Sequence, residues 1–216
     1  MENKLIYEIR RIAGAFIFYS RIPLTSSWFS AKTSHCSRYF SLVGWLVGGV
    51  SVGIWLLAQM MFSDSSGTFS EVNLPIAILL GMIAAVLLTG ALHEDGFADT
   101  CDGFGGGWSP EERLRIMKDS RIGTYGALGL VFLVLFKFFA LLQIETSILP
   151  WVWFAGNTLS RFVSISQLQI LAYIQDAAKS KSGPMTEFSG VDLIVNAVFG
   201  LLPLFFIGNQ VWVALP

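Results

Sequence analysis

Eighteen residues, "LPIAILLGMIAAVLLTGA" (Leu74–Ala91), carry no charge and run directly into "LHEDGFADTCDG" (Leu92–Gly103). The first stretch reads as a membrane segment, because about 18 uncharged apolar residues approach the thickness of a hydrocarbon core. The second places His93, Glu94, Asp95, Asp99 and Asp102 where that hydrocarbon-soluble segment stops. If the helix simply continues, each residue advances about 100°, so Asp95, Asp99 and Asp102 fall within roughly 60° of one another. Like charges one turn apart repel by a few tenths of a kcal/mol in water, and by more beside hydrocarbon. Such an acidic stripe calls for a cation. Asp oxygens are hard ligands and no Cys and His combination stands at metal spacing, so Mg²⁺ shared with waters and phosphate suits it, with Mn²⁺ as a substitute. His93 and Glu94 point away from the stripe on this wheel, either supporting the ligands or sitting as ordinary residues of the membrane interface. The plainer account is a solvated helix end, but three Asp on one face are less common than scattered charge.

The rest of the chain agrees with a membrane setting. Of its 216 residues 54% are hydrophobic and 13% charged, a balance that a soluble domain of this size could hardly cover with polar side chains. Net charge is −1 and no basic block appears, which excludes a nucleic-acid partner. The two cysteines, Cys36 and Cys101, lack the number and spacing of a disulfide framework or zinc site, and Cys101 reads as a small filler on its helix. Apolar runs predict spans at 41–62, 74–92, 127–149, 151–174 and 192–214. "IAGAFIFYSRIPL" is too short to cross and fits an interfacial or re-entrant element. The expected fold is therefore an all-α polytopic transmembrane bundle of about five or six membrane segments, in one integral membrane domain over 1–216. Lys4, Arg10, Arg11, Arg21, Lys32 and Arg38 precede the first span, while "SDSSGTFSEVN" after it has no base. Arg113, Arg115, Lys118 and Arg121 follow the second, and Lys179 and Lys181 the fourth. By the positive-inside rule the amino terminus and the acidic segment face the cytoplasm.

Beyond the stripe comes "GFGGGWSPEERLRIMKDSRIGTYG", where four glycines in five positions allow close backbone approach to a ligand or a flexible turn. Ser109, Pro110 and Glu112 match N-cap, N1 and N3 of a capping box, so a short cytoplasmic amphipathic helix should start there and end at Gly123. Leu114 and Met117 make its apolar strip; Arg113, Arg115, Lys118 and Arg121 supply cations that either set topology or meet phosphates beside the metal. Arg161 lies inside a predicted span, so it should face the bundle interior and meet an anion, either a carboxylate or a substrate. Lys137 is as compatible with snorkelling or internal pairing as with function.

These residues resemble the cobalamin-5′-phosphate synthase family, also called adenosylcobinamide-GDP ribazoletransferases. The resemblance is carried by "HEDGFADTCDG" and "IMKDSRIGTYG" and extends to "FIFYSRIPL", "YFSLVGWLVGG", Ser160 with Arg161, and "KSGP", so it covers most of the chain. It implies a Mg²⁺-dependent transferase of the bacterial inner membrane that acts in cobalamin biosynthesis. Such an enzyme joins adenosylcobinamide-GDP to α-ribazole or its 5′-phosphate and releases GMP. On this resemblance Asp95, Asp99 and Asp102 would hold the metal, and the catalytic candidates are Asp119, either as base or completing the metal site, and His93, either as acceptor of the hydroxyl proton or in a structural hydrogen bond. Arg113, Lys118, Ser120, Arg121 and Arg161 would bind substrate. The implied partners are the two small-molecule substrates and the lipid bilayer, and a homo-oligomer is compatible. The family normally continues into a glycine-rich "GGxTGD" element, whereas this chain stops at "NQVWVALP". The nearest rival, a CDP-alcohol phosphotransferase, would require DGxxAR followed by GxxxDxxxD, and that spacing is absent. An ion or proton transporter would use Lys137, Arg161 and membrane-edge Asp, but the acids cluster outside the span.

Overall fold

The computed structural model describes residues 4–23, 36–62, 73–171 and 189–214. Among them every regular element is helical: α1 (Lys4–Tyr19), a 3-10 turn (Cys36–Tyr39), α2 (Phe40–Phe62), α3 (Leu74–Thr89), α4 (Leu92–Gly106), α5 (Pro110–Met117), α6 (Thr124–Leu142), α7 (Leu149–Ile170) and α8 (Gly190–Ala214). Lys32, Lys179, Lys181 and "KSGP" lie outside the described residues.

The chain is a multi-pass membrane protein, with fewer clean spans than the apolar runs suggest. Among the described residues three helical stretches are long and apolar enough to cross by themselves, Cys36–Phe62, Thr124–Leu142 and Gly190–Ile207. The expected 74–92 span stops early: α3 has 16 residues, about 24 Å of helix against a hydrocarbon core of about 30 Å. It qualifies only jointly with α4, from which it is bent by 87°. The acidic helix is therefore a separate helix and does not continue the span. Gly90 (φ 65°) and Ala91 (φ 60°) are both left-handed, and their N–H groups return to the carbonyls of Leu87 and Val86 in a Schellman-type stop. Arg21 seals the corner, its N–H on Leu88 O at 2.7 Å and its side chain filling the space that a Cβ on Gly90 would need. The expected 151–174 span corresponds to α7, whose 22 residues suffice in length; Asn157, Thr158, Ser160 and Arg161 make it more polar than a lone lipid-facing helix.

Such a polar helix must be held inside the bundle. Trp153, Ala155, Thr158, Arg161 and Ile165 are buried at helical spacing, and α7 packs on α2 and α8. Gly44 and Gly48 make the approach possible: a Cβ on Gly44 would lie 2.7 Å from Asn157 O and one on Gly48 3.1 Å from Phe154 Cα. Small residues four apart are how membrane helices reach van der Waals contact without a hydrophobic drive. α1 is too short to cross, as expected. It exposes Leu5, Ile6 and Ile9 while burying Arg11, Gly14, Ala15 and Tyr19, the pattern of an interfacial helix.

α1 is fastened by ion pairs. Arg11 donates to Asp192 Oδ1 at 3.0 Å, and Arg38 pairs with the same oxygen and with Glu8 Oε1 at 2.8 Å. Tyr39 Oη donates to Glu8 Oε2 at 2.7 Å, and Asp192 Oδ2 accepts from Ser189 N–H and Oγ–H at 2.8 and 2.7 Å. Arg11 and Arg38, counted in the sequence among the cytoplasmic bases, are thus also the joint between α1, the 3-10 turn and α8.

Candidate active site

α4 carries Asp95, Asp99 and Asp102, as the stripe predicts, with graded burial: Asp95 is exposed, Asp99 half-buried and Asp102 buried. Asp102 faces α6. Its Oδ2 accepts from Gly123 N–H at 2.7 Å and its Oδ1 from Gly126 N–H at 2.8 Å, so it caps the amino end of α6 from 21 and 24 residues away. A carboxylate on the unpaired amides of a helix start is favoured by hydrogen bonding and by the macrodipole. The packing is close: a Cβ on Gly126 would sit 2.4 Å from Asp102 Oδ2, and one on Gly129 2.6 Å from Cys101 Sγ. Cys101 is the interhelical filler expected.

The turn between α4 and α5 follows the capping box. Ser109 Oγ accepts from Glu112 N–H at 3.2 Å, Pro110 opens the helix, and Glu112 Oε2 reaches back to Trp108 N–H at 3.0 Å, one residue before the N-cap. Arg113 holds this turn: its Nε–H donates to Gly107 O at 3.1 Å and its guanidinium lies 4.8 Å from the Phe104 ring centroid. That places Arg113, expected on substrate, in a structural role.

α5 ends at Met117, six residues before the Gly123 stop expected from the sequence. The cause is Asp119. Its Oδ1 accepts from Arg121 N–H at 3.1 Å, a local turn that competes with the helix, and its carboxylate is paired with Arg121 Nη2 at 2.8 Å. Gly123 instead becomes the extended N-cap of α6. The ion pair draws the Asp119 carboxyl down to about 2, chiefly through the Arg121 side chain, and raises the Arg121 guanidinium in return. A group so acidic is a weak proton acceptor.

The result is an open cleft of about 470 Å³ whose lining includes Asp102, Arg115, Asp119, Arg121 and Tyr125. Of the residues expected in the site, the cleft gathers Asp102, Asp119 and Arg121; Lys118 and Ser120 are exposed on the same loop. His93 and Arg161 are elsewhere. Nine residues of helix, about 14 Å, separate His93 from Asp102. His93 stacks on Phe40 at 5.8 Å, and the Arg161 guanidinium lies 5.8 Å from the same ring. Sequence reasoning missed Arg115 as a cleft residue distinct from its basic neighbours, and no spacing singles it out; it faces the cleft only because the loop after α5 folds back. Lys137 is exposed on α6.

Among the described residues no three or more His, Cys, Asp or Glu side chains are arranged to hold a metal ion. A closed protein cage is therefore not what the stripe builds. Both Asp102 oxygens are engaged by amides, whereas the Asp95 and Asp99 side chains make no hydrogen bond or ion pair to a described residue, and the charges of Asp95 and Asp102 both act on Asp99. Two unengaged carboxylates one turn apart on the helix that supplies Asp102 to the cleft fit Mg²⁺ of the kind held by one or two carboxylates plus substrate phosphates.

Comparison with known proteins agrees with the resemblance. The family model described as cobalamin-5-phosphate synthase matches residues 11–215. The chain is 39% identical to an adenosylcobinamide-GDP ribazoletransferase of Vibrio cholerae over 95% of its length and 77% of the relative's. It is 41% identical to one of Shewanella frigidimarina over 93% and 77%, and 38% identical to one of Leptospira interrogans over 93% and 74%. No solved structure matches. With the family's motif forming the acid helix, its capped partner and the cationic loop, the chain belongs to the cobalamin-5-phosphate synthase family.

Proposed function

We propose that this chain is a membrane transferase that joins adenosylcobinamide-GDP to α-ribazole or α-ribazole 5′-phosphate and releases GMP. The observation that carries the reading is a cleft lined by Arg115 and Arg121 whose wall includes Asp102, the last acid of the α4 stripe that also carries Asp95 and Asp99. A diphosphate needs both a cation-holding face and fixed positive charge, and phosphoryl transfer depends on positioning and electrostatics more than on covalent help from the protein.

In this reading a ribazole hydroxyl attacks the cobinamide-side phosphorus, the new P–O bond forms as the bridging P–O bond breaks, and the electron pair leaves with GMP. Arg115 and Arg121 neutralise the growing charge on the departing phosphate, with Lys118 within the same loop. Asp119 keeps Arg121 extended toward the cleft through their two-pronged pair, and Asp102 fixes the cleft wall by capping α6. Asp95 and Asp99 would hold Mg²⁺, which when bound screens phosphate charge and polarises the P–O bonds. His93, two residues before Asp95 on α4 and outside the cleft lining, would accept the hydroxyl proton if the acceptor nucleoside lies along the first turns of that helix. The amino terminus and the cleft face the cytoplasm of a bacterial inner membrane, in keeping with the basic residues of both.

The test is Mg²⁺-dependent GMP release from adenosylcobinamide-GDP and α-ribazole by the purified chain in nanodiscs. Turnover that ignores chelation of divalent ions would remove the metal reading; absence of turnover in a chain that remains folded would remove the reaction.

A further inference from the structure

Away from the cleft, the first turn of α4 faces a guanidinium that the mechanism does not use. Arg161 is 5% exposed. Its Nη1 donates to Asn157 O at 2.7 Å and approaches Asn157 Oδ1 at 3.4 Å, both on its own helix. Its Nε–H is fully buried and has no partner among the described residues. No hydrogen bond reaches Nη2 from a described residue either, so the whole Nε and Nη2 edge is unused. That edge is the fork that donates to two oxygens of one phosphate or carboxylate.

The obvious internal partner does not take it. Glu94, in the first turn of α4, is the acid whose charge acts on Arg161, yet no carboxylate oxygen among the described residues is within ion-pair distance of the guanidinium. Glu94 Oε2 is itself buried without a partner. A buried cation and a buried carboxylate oxygen, each left unsatisfied at separated points, carry a desolvation cost that native structures avoid unless something fills the gap. Exposed His93 stacks on Phe40, and the same ring lies 5.8 Å from the Arg161 guanidinium. The amides opening α4 add an anion-favouring helix start.

The two orphan groups are complementary in kind. A bare anion would satisfy Arg161 and be repelled by Glu94; a neutral alcohol would satisfy Glu94 and leave Arg161 unmet. A group with an oxyanion and a hydroxyl a few ångströms apart serves both. We propose that Arg161 and Glu94 form a ribose-phosphate subsite at the first turn of α4, with the guanidinium edge on the phosphate and the carboxylate on a ribose hydroxyl. Resting on the proposed reaction, this chemistry has two sources, the acceptor nucleotide and the GMP part of the donor. The order along α4 favours the acceptor: the subsite comes first, Asp95 and Asp99 follow, and the cleft for the diphosphate lies beyond.

Equilibrium binding to the whole chain in nanodiscs separates the cases, with α-ribazole 5′-phosphate, α-ribazole and GMP as probes. Arg161→Gln should weaken α-ribazole 5′-phosphate at least about tenfold and leave α-ribazole within about twofold, since only the phosphate contact is removed. Glu94→Gln, nearly isosteric and thus a safeguard against misfolding, should weaken α-ribazole and its phosphate alike. Loss of GMP binding in both variants, with α-ribazole 5′-phosphate unchanged, would keep the subsite and assign it to the donor. Equal binding of every probe by wild type and both variants would overturn it, as would an Arg161→Gln variant that loses nucleoside and nucleotides together. Binding that follows this pattern in a chain without turnover would discard the reaction and retain the subsite; turnover with unchanged variant binding would do the reverse.

Discussion

Asp102 and Gly126 are joined across two helices by an N–H···O bond of 2.8 Å, with the carboxylate occupying the space where any larger residue at 126 would carry its Cβ. The aspartate that the sequence offers as a metal ligand is thereby the end-cap of α6. Asp102→Ala should leave two backbone N–H groups without their acceptor, at a cost of about 1–3 kcal/mol for each one that stays buried. Thermal unfolding in detergent should show the loss, and Gly126→Ala should reproduce part of it. An Asp102→Ala chain as stable as wild type would refute the capping role.

Asp99 stands one turn back on α4 without a hydrogen-bonding partner among the described residues, so its substitution should separate function from folding. Asp99→Asn is expected to cut GMP release at least about a hundredfold, the scale of losing one electrostatic contact to a transition state. Its melting temperature should match wild type. Normal turnover in this variant would remove Asp99 from the reaction.

Asp119 titrates in an unusual range because Arg121 holds its carboxyl down at about 2. Its folded value lies below the unfolded one, so whatever the pair contributes is fully present above the ordinary carboxylate value of about 4 and is lost as pH falls through about 2. Across the neutral range Asp119 stays ionised. Asp119→Asn should therefore lower turnover by freeing Arg121 while leaving the midpoint of any acidic limb in the pH–rate profile where it was; a displaced midpoint would make Asp119 the titrating base after all.

Gly44 lets α2 lie against the backbone of α7, where a Cβ would meet Asn157 O at 2.7 Å and Thr158 Cα at 2.8 Å. Neither atom is a flexible side-chain end, so the helices must part. Gly44→Ala should cost about 1–3 kcal/mol, as overpacking does. Gly49→Ala, where nothing lies within 4 Å, serves as control and should be silent. Equal stability of the two variants would contradict the packing.

Asp192 is 1% exposed and holds two guanidinium groups from separate elements. Asp192→Asn removes the charged partner that Arg11 and Arg38 share, while Arg11 keeps its 3.3 Å pair with Glu8, so the loss should stay below the about 3–5 kcal/mol of a fully broken buried pair. Limited proteolysis should then cleave near α1 first. Unchanged protection of α1 would show that its apolar contacts suffice to hold it.

The chain's own order of residues determined a good deal. Long uncharged runs have few fates other than helices in lipid, so α2 and α8 were legible from hydropathy, and α6 too except at its end: the expected 127–149 run overshoots Leu142 by seven residues, through the turn before α7. The capping box at Ser109 was legible too, because its bonds close within four residues. The acidic stripe followed from the helical repeat, and the motif around it named the family. What required the tertiary structure are the relations between distant residues. Two left-handed residues at Gly90 and Ala91 turn the acid helix by 87°, since only neighbours such as Arg21 make that corner worth keeping over a continued apolar helix. Asp102 became a cap because α6 begins beside it, and Arg161 of α7 and His93 of α4 came together on the ring of Phe40. Periodicity tells which residues share a face of one helix; it carries no information about which other helix that face will meet.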